Sequence, residues 1–428
     1  MRFIHTADWH LGNQMHEIDR REEAEAFFRW LKTQIIEKNA ESLVVSGDIF
    51  DTTNPSVEAR RLYYSFLASL VDSPCKNVII VGGNHDSALM LESSKELLDV
   101  LNIHVVGSVN GLRPADMCFE LFDANGSVSG ICMAVPFLRE VELRNLIPEE
   151  KIPDTDLYST VYQKLYTSVF EEAEKLRSDR ALPLIATGHL YASDLEGRLS
   201  GKKSSEKTDD GVKVLDVVGT LGNVPPSVFP PVDYVALGHI HYSSMVAKNP
   251  AIRYSGSPFV MGFDEANLPH YVLLVDAEKN GEESKLNLEK IETPRIFLYK
   301  RISGTLLEVK KELEALSSSK SSGSKGEKKL FIELCYKREL GISAREYLEE
   351  TINALPENMS VVNWKITDPE VFFARNEVRD FEASEVKNLD DREIFTQLIL
   401  AKTGFSAESE EGRAALEKFL PLFLQIAD

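Results

Sequence analysis

Thiol chemistry is scarce in this chain. Its four cysteines, Cys75, Cys118, Cys132 and Cys335, are scattered and form no CxxC pair. Reduced structural thiols in a cytoplasmic protein are the expected state. Long apolar runs are missing as well, and nothing approaches the roughly 20 residues that cross a bilayer. The start, Met1-Arg2-Phe3-Ile4-His5-Thr6-Ala7-Asp8, enters a strand pattern directly and lacks a signal peptide's apolar region. Positive charge is in short supply: 48 Lys and Arg stand against 68 Asp and Glu, for a net charge of −20. Phosphate neutralisation needs Lys and Arg, so this is not an obvious nucleic-acid binder. If the chain handles DNA, local basic patches, bound cations or a partner must supply the attraction.

What is present is ordinary globular composition, 43% hydrophobic and 27% charged. A length of 428 residues predicts two or three domains. Residues 2–7 read as a strand ending in Asp8-Trp9-His10-Leu11-Gly12. Asp19-Arg20-Arg21-Glu22 is a capping-box pattern that opens a helix to about Asn39. Residues 42–46 form a second strand, ending in Gly47-Asp48-Ile49-Phe50-Asp51. Asn54-Pro55 has N-cap then first-turn character and starts a helix through about Leu70. The apolar run 78–81 stops at Gly82-Gly83-Asn84-His85-Asp86, and a helix near 88–101 follows with Leu91, Leu97, Leu98 and Leu101. This alternation argues an α/β layer.

From about Val105 to Pro136 the pattern turns to short, more antiparallel strands. A helix is expected over 158–178, then a strand over 182–187 that ends in Gly188-His189. The polar stretch 200–211 reads as a loop. A strand over 234–237 ends in Gly238-His239-Ile240-His241, and Arg253-Tyr254-Ser255-Gly256-Ser257-Pro258 and 271–275 follow as strands or turns. Past Pro294, residues 295–366 show a β-α-β-α-β order interrupted by a Ser/Gly/Lys linker at 317–329. Residues 380–428 read as two amphipathic helices around Thr403-Gly404, with more apolar surface than a free tail should expose, which favours a docked partner.

Five strand-like runs thus end at or just before a candidate metal ligand: Asp8 with His10, Asp48, Asn84 with His85, His189, and His239 with His241. Five of the nine histidines sit in these motifs. A satisfied core histidine explains any one of them but not five at strand ends. In extended backbone, residues i and i+2 point the same way, so each D-x-H or H-x-H pair can reach one ion. Imidazole, carboxylate and amide oxygen without thiolate suit Mn²⁺, Fe²⁺ or Zn²⁺ more than Ca²⁺. Eight groups are too many for one ion. Two ions about 3.5–4 Å apart, bridged by a carboxylate, would use them, and Asp48 is the natural bridge. Phosphoester hydrolysis is the chemistry such a set supports.

The motifs D-W-H-L-G, G-D-I-F-D, G-N-H-D, G-H and G-H-I-H, in this order, resemble those of the calcineurin-like metallophosphoesterases, and within them the SbcD family of nucleases. The resemblance is close over residues 1–275. The protein phosphatases of the superfamily typically carry Glu where Asp86 stands and an Asp-Arg-Gly where Phe50-Asp51-Thr52-Thr53 follows the second motif. Two small departures, Ala7 where Ser is common and the loop at 200–211, touch no ligand.

The resemblance implies an α/β fold: a metallophosphoesterase-type β-sandwich flanked by helices over 1–290, a small α+β capping domain over 295–366, and a helical tail over 380–428. It implies one ion at Asp8, His10, Asp48 and His241, a second at Asp48, Asn84, His189 and His239, and Mn²⁺ as the metal. It makes His85 a catalytic group that stabilises the transition state and serves as general acid, with Asp51 and Asp86 in supporting roles. It further implies a DNA nuclease, acting as exonuclease on duplex ends and endonuclease on single strands or hairpins. The helices at 55–70 and 88–101 would then join a homodimer, and 380–428 would bind an SbcC-like SMC-type ATPase. A phosphatase of the same superfamily is the competing expectation; the acidic charge favours it, while Asp86 and residues 295–428 count against it.

Overall fold

The computed structural model describes residues 1–147, 152–193, 222–281, 283–318, 328–337 and 343–366, with positions 413 and 416. The expected polar loop at 200–211 lies outside them, as does the tail at 380–428 apart from those two positions. The chain divides into two units, Met1–Lys300 with Lys328–Leu330, and Arg301–Glu327 with Phe331–Asp428. Among the described residues no helix is long and apolar enough to cross a membrane.

The first unit holds two six-stranded sheets. In chain order its strands are β1 (Arg2–Thr6), the short hairpin β2 (Gln14–Met15) and β3 (Ile18–Asp19), β4 (Ser42–Ser46), β5 (Asn77–Val81), β6 (Ile103–Val106), β7 (Cys118–Phe122), β8 (Val128–Val135), β9 (Leu184–His189), β10 (Tyr234–Gly238), β11 (Ser244–Val246), β12 (Asn249–Tyr254), β13 (Tyr271–Asn280) and β14 (Glu283–Glu292). One sheet runs β14-β13-β1-β4-β5-β6 and the other β11-β12-β10-β9-β8-β7. In the first, β1, β4, β5 and β6 are parallel. In the second, β12, β10, β9 and β8 are parallel. At one end of the first sheet β13 and β14 run antiparallel to their neighbours, and in the second sheet both edge strands, β11 and β7, do so.

The period-2 alternation of strands divides the core. Ile4, Leu43, Val45, Val78 and Ile80 pack with α1 (Arg21–Glu37) and α2 (Val57–Ser69). Phe3, Val44, Ile79 and Val81 turn the other way and share a core with the second sheet. Both faces of β4 and β5 are therefore buried, which is why these strands read as continuous apolar runs. A buried polar seam joins the sheets. Ser46 Oγ lies 2.8 Å from Thr187 Oγ1 and donates to Ala236 O, while His5 meets the Tyr234 hydroxyl at 3.0 Å and Leu237 O at 3.2 Å. His5 is a satisfied core histidine and belongs to none of the strand-end motifs.

Two helix boundaries differ from the sequence reading. Ser56, not Asn54, caps α2, because its hydroxyl accepts from Ala59 N–H at 3.1 Å. Asp19 Oδ1 accepts from Arg21 N–H at the start of α1, and no side-chain cap forms at Arg20. The helix expected over 88–101 is broken into α3 (Ala88–Leu91), a 3-10 turn (Glu92–Ser94) and α4 (Lys95–Asp99). Glu92 is drawn off to accept from Gly107 N–H at 2.8 Å, and Ser93 bonds back to Met90 O. Leu91 and Leu98 are buried, but Leu89, Leu97, Val100 and Leu101 are exposed. Later in this unit come α5 (Glu140–Leu146) and α6 (Asp154–Arg177), the latter longer than its expected 158–178 at the amino end.

From residue 298 on comes the expected β-α-β-α-β order: β15 (Leu298–Gly304), α7 (Leu306–Ser318), β16 (Leu330–Tyr336), α8 (Ala344–Asn353) and β17 (Met359–Ile366), with the strands in the order β15-β16-β17. Thr305 and Glu308 form a capping box at α7, each backbone N–H bonded to the other's side chain.

Candidate metal centre

The carboxyl ends of β1, β4 and β5 in one sheet and β9 and β10 in the other deliver all ten singled-out side chains to one rim. Open α/β sheets build their sites at such ends. Asp8, His10 and His241 place ligand atoms within 4.8 Å of one another, as do Asp8, Asp48 and His189. Asp48 Oδ2 stands between two imidazoles, 3.5 Å from His10 Nε2 and 3.4 Å from His189 Nε2. Asn84 Oδ1 lies 2.9 Å from His189 Nε2 and 3.0 Å from His239 Nδ1. The rim thus carries two adjoining clusters, Asp8/His10/His241 and Asn84/His189/His239, with Asp48 on their shared border.

The backbone route to this arrangement differs from the extended one expected. Asp8, His10, Asp48 and His239 all lie at positive φ, at 53°, 42°, 50° and 102°. Left-handed backbone is sterically costly for residues with a Cβ and concentrates at functional sites. Asp8 and His10 still reach one cluster. The H-x-H pair does not: the turn at His239 sends its ring to Asn84, while His241 joins Asp8 and His10.

Glycines beside the ligands make room for them. A Cβ on Gly83 would stand 2.1 Å from Asp48 Oδ1, and one on Gly47, itself at φ +87°, would stand 2.3 Å from His189 Nδ1.

Supporting contacts set which ring nitrogen is free. His189 Nδ1 meets Ser46 O at 2.8 Å; a carbonyl only accepts, so Nδ1 carries the proton and Nε2 faces Asp48 and Asn84. His85 Nδ1 likewise donates to Asp51 O at 2.8 Å, which leaves its Nε2 unassigned, and His85 is exposed where His10 and His189 are buried and His239 and His241 half-buried. Asn84 and His85 therefore serve opposite sides of the rim. His85 groups with His10 and Asp51, its ring centroid 4.9 Å from that of His10. Asp51 Oδ1 sits 3.3 Å from His10 Nδ1 and accepts from Asn13 Nδ2 at 2.9 Å. Asp86 reaches no ligand. Its carboxylate accepts from the backbone N–H groups of Ile49, Phe50 and Gly83 at 2.9–3.0 Å, tying the second motif to the third.

The electrostatics separate the two buried carboxylates. Burial pushes Asp8 up to about 7, against the pull of His189. Burial also opposes the charge on Asp48, but His189, His10 and the His85 N–H outweigh it and hold that carboxyl below the usual range. Burial alone would lower His189, yet Asp48 and Asp8 raise it to about 9. Burial pushes His239 down to about 4 and His241 to about 3, so both are neutral and able to ligate at pH 7.

The residues fit divalent ions on their own chemistry. His10 Nε2 is buried and has no hydrogen-bond partner, only Asp48 Oδ2 at 3.5 Å, a costly state unless a cation completes it, while Nδ1 faces Asp51 Oδ1 at 3.3 Å. The donors are imidazole, carboxylate and amide oxygen, a set suited to Mn²⁺, Fe²⁺ or Zn²⁺.

Sequence reasoning passed over Asn13, Arg139 and Ser257. Arg139 donates to Asp86 O, and Ser257 Oγ donates to Asp8 O at 2.8 Å. None stands at a strand end beside another polar motif residue, so only the tertiary contacts reveal them.

A calcineurin-like phosphoesterase family model matches residues 1–243. The SbcD component of the nuclease SbcCD of Escherichia coli K12 is 34% identical over 318 residues, 73% of this chain and 74% of that one. Its counterpart in Rhodobacter capsulatus is 33% identical over 282 residues, 64% and 66% of the two chains, and that of Bacillus subtilis 29% over 286 residues, 66% and 68%. The five strand-end motifs, the paired clusters they build and these similarities lead to one assignment: the chain belongs to the calcineurin-like metallophosphoesterases, and within them to the SbcD family.

Proposed function

We propose that the chain is a Mn²⁺-dependent DNA nuclease, an exonuclease on duplex ends and an endonuclease on single strands or hairpins, working in the cytoplasm with an SMC-type ATPase in DNA repair and recombination. The observation that carries this reading is the pair of adjoining clusters with Asp48 between His10 and His189. The relatives are named as one component of the nuclease SbcCD, which supports both the substrate and the partner.

Asp8, His10, Asp48 and His241 hold one ion in this reading, and Asp48, Asn84, His189 and His239 hold the other. A divalent pair bound there would supply Lewis-acid charge to the phosphoryl oxygens and lower the pKa of a bound water. The Asp51 carboxylate orients His10, and the Asp51 carbonyl fixes His85 through Nδ1. His85 Nε2 then faces the phosphodiester, steadies the developing charge and protonates the leaving oxygen. Asp86 fixes the loops that carry Asp48 and Asn84.

Residues 1–290 form the nuclease domain in this scheme, 295–366 a capping domain, and 380–428 the ATPase-binding segment. The helices at 55–70 and 88–101 join two copies of the chain, and exposed Leu89, Leu97, Val100 and Leu101 give that contact its apolar surface. The ATPase brings the basic DNA surface that a net charge of −20 withholds.

The test assays the purified chain with Mn²⁺ on linear duplex DNA and on a phosphomonoester, beside His85→Gln. DNA cleavage that falls on the order of 10²–10⁴-fold in the variant, with both ions retained, supports the reading. Hydrolysis of the monoester alone would replace it with the phosphatase reading. Loss of an ion from His85→Gln would make His85 a ligand.

A further inference from the structure

The turn Ser255-Gly256-Ser257-Pro258 follows β12 and belongs to none of the five ligand motifs. Ser257 is 1% exposed and touches two of those motifs at once. Its hydroxyl donates to Asp8 O at 2.8 Å, and its backbone N–H donates to His241 O at 3.0 Å. Phe259 N–H donates into the same hydroxyl at 3.2 Å, so the oxygen's acceptor side is taken and its proton is committed to Asp8. His270 Nδ1 in turn donates to Ser257 O at 2.9 Å.

Gly256, at φ +79°, lies flat against the His241 main chain, where a Cβ would stand 2.8 Å from His241 O. Asp8 has strained left-handed backbone that needs fixing at both ends. Its N–H is held by Gly47 O at 2.9 Å, and its carbonyl by Ser257. The hydrogen bonds of Asn84, His189 and His239 run to one another, to Ser46 and to Asp8 instead.

We propose that Ser257 is a positioning residue that clamps the first ligand motif to the last and so sets the spacing of Asp8, His10 and His241. The clamp acts directly on one ion site of the pair and meets the Asn84/His189/His239 site only through the Asp8 carboxylate. It rests on the metal-pair reading above. A side chain that orients ligands without touching the ion commonly controls affinity by about 10–100-fold.

The test titrates Mn²⁺ into the full chain as wild type, Ser257→Ala and Thr293→Ala, with thermal unfolding of each metal-free protein alongside. Thr293 Oγ1 anchors the same turn by donating to Pro258 O at 2.8 Å but touches neither Asp8 nor His241. His10→Ala identifies which of the two affinities belongs to the Asp8 cluster.

The expected result is that Ser257→Ala weakens that affinity about 10–100-fold and leaves the other within about twofold, while Thr293→Ala changes neither. Should Ser257→Ala fold poorly, Ser257→Cys keeps the shape with a weaker donor and shows a smaller loss at the same ion. Unchanged affinities in the serine variants, equal loss at both ions, or the same loss in Thr293→Ala overturn the clamp while the metal pair stands. A wild-type chain that binds fewer than two ions removes the metal pair and the clamp with it.

Discussion

Around Asp8, His10 and His241, two of the three candidate ligands sit on left-handed backbone that other residues pin; around Asn84, His189 and His239 only His239 does, and the side chains lean largely on one another. In the first cluster, Asp8 and His10 sit at φ 53° and 42°, and Ser257, Gly47 and Asp51 hold them from outside. In the second, one amide oxygen meets two ring nitrogens at 2.9 and 3.0 Å, and His189 is the last residue of a buried strand. A ligand on a strand inherits its position from the sheet ladder. A ligand on a turn has to be positioned by side chains that never meet substrate.

Breaking the border between the clusters should have the largest effect. Asp48→Ala removes the group shared by both, so metal titration should show loss of both ions and DNA cleavage should fall on the order of a thousandfold, equivalent to several kcal/mol of lost charge stabilisation. Retention of one ion at wild-type affinity would mean that Asp48 serves one cluster only. Single truncations should next separate the clusters: His10→Ala should empty one site and Asn84→Ala the other, read as the metal-to-protein ratio. If either variant loses both ions together, the two clusters are a single unit and the contrast between them fails.

Asp51→Ala acts from outside, so we expect the His10-side affinity to drop about 10–100-fold, with the second affinity unchanged. A separate effect, on stability and not on the ion sites, should come from acid. Burial holds His270 down at about 4 despite its bond to Ser257 O. Its folded pKa lies below the unfolded value, so the unfolded chain takes the proton first. Stability is then fully present above about pH 6.5 and is lost as pH falls toward 4, by at most about 1.4 kcal/mol per unit. Urea unfolding of the metal-free chain at pH 7.5 and 5.0 should show this loss, and His270→Gln should reduce the slope without abolishing it, because burial also lowers His5, His239 and His241. An equal slope in the variant would assign the loss to other groups.

The strand-end candidates were legible in the sequence because each is local: Asp48, Asn84, His189 and His239 follow an apolar run and a glycine, and Asp8 follows its run without one. The sandwich was legible through the resemblance that those motifs carry, and the β-α-β-α-β order of residues 298–366 through periodicity. The handedness of the turns was not, since a D-x-H reads the same in extended or left-handed backbone. The division of His239 from His241 was implied by the resemblance, but the left-handed turn at His239 that accompanies it was not. The break at Glu92 was hidden because its cause, the Gly107 N–H, lies fifteen residues away. Ser257 looks like part of an ordinary turn in the sequence because both of its partners, Asp8 and His241, are remote along the chain.

The left-handed rim also bears on how such a chain could drift. Four ligand candidates sit where glycine or asparagine would be more comfortable, and each residue so held costs about 1–3 kcal/mol. Against a typical folding stability of about 5–15 kcal/mol, that is a heavy standing cost. His239 is the extreme case at φ +102°, and the hydrogen bonds it gives Asp8 come from its backbone N–H, which any residue but proline would keep. A copy of this chain released from selection on its chemistry would gain backbone ease by exchanging His239 for glycine. Histidine retained at that position in a divergent copy is therefore a sign of continuing use, and glycine there marks a retired enzyme that has kept its fold.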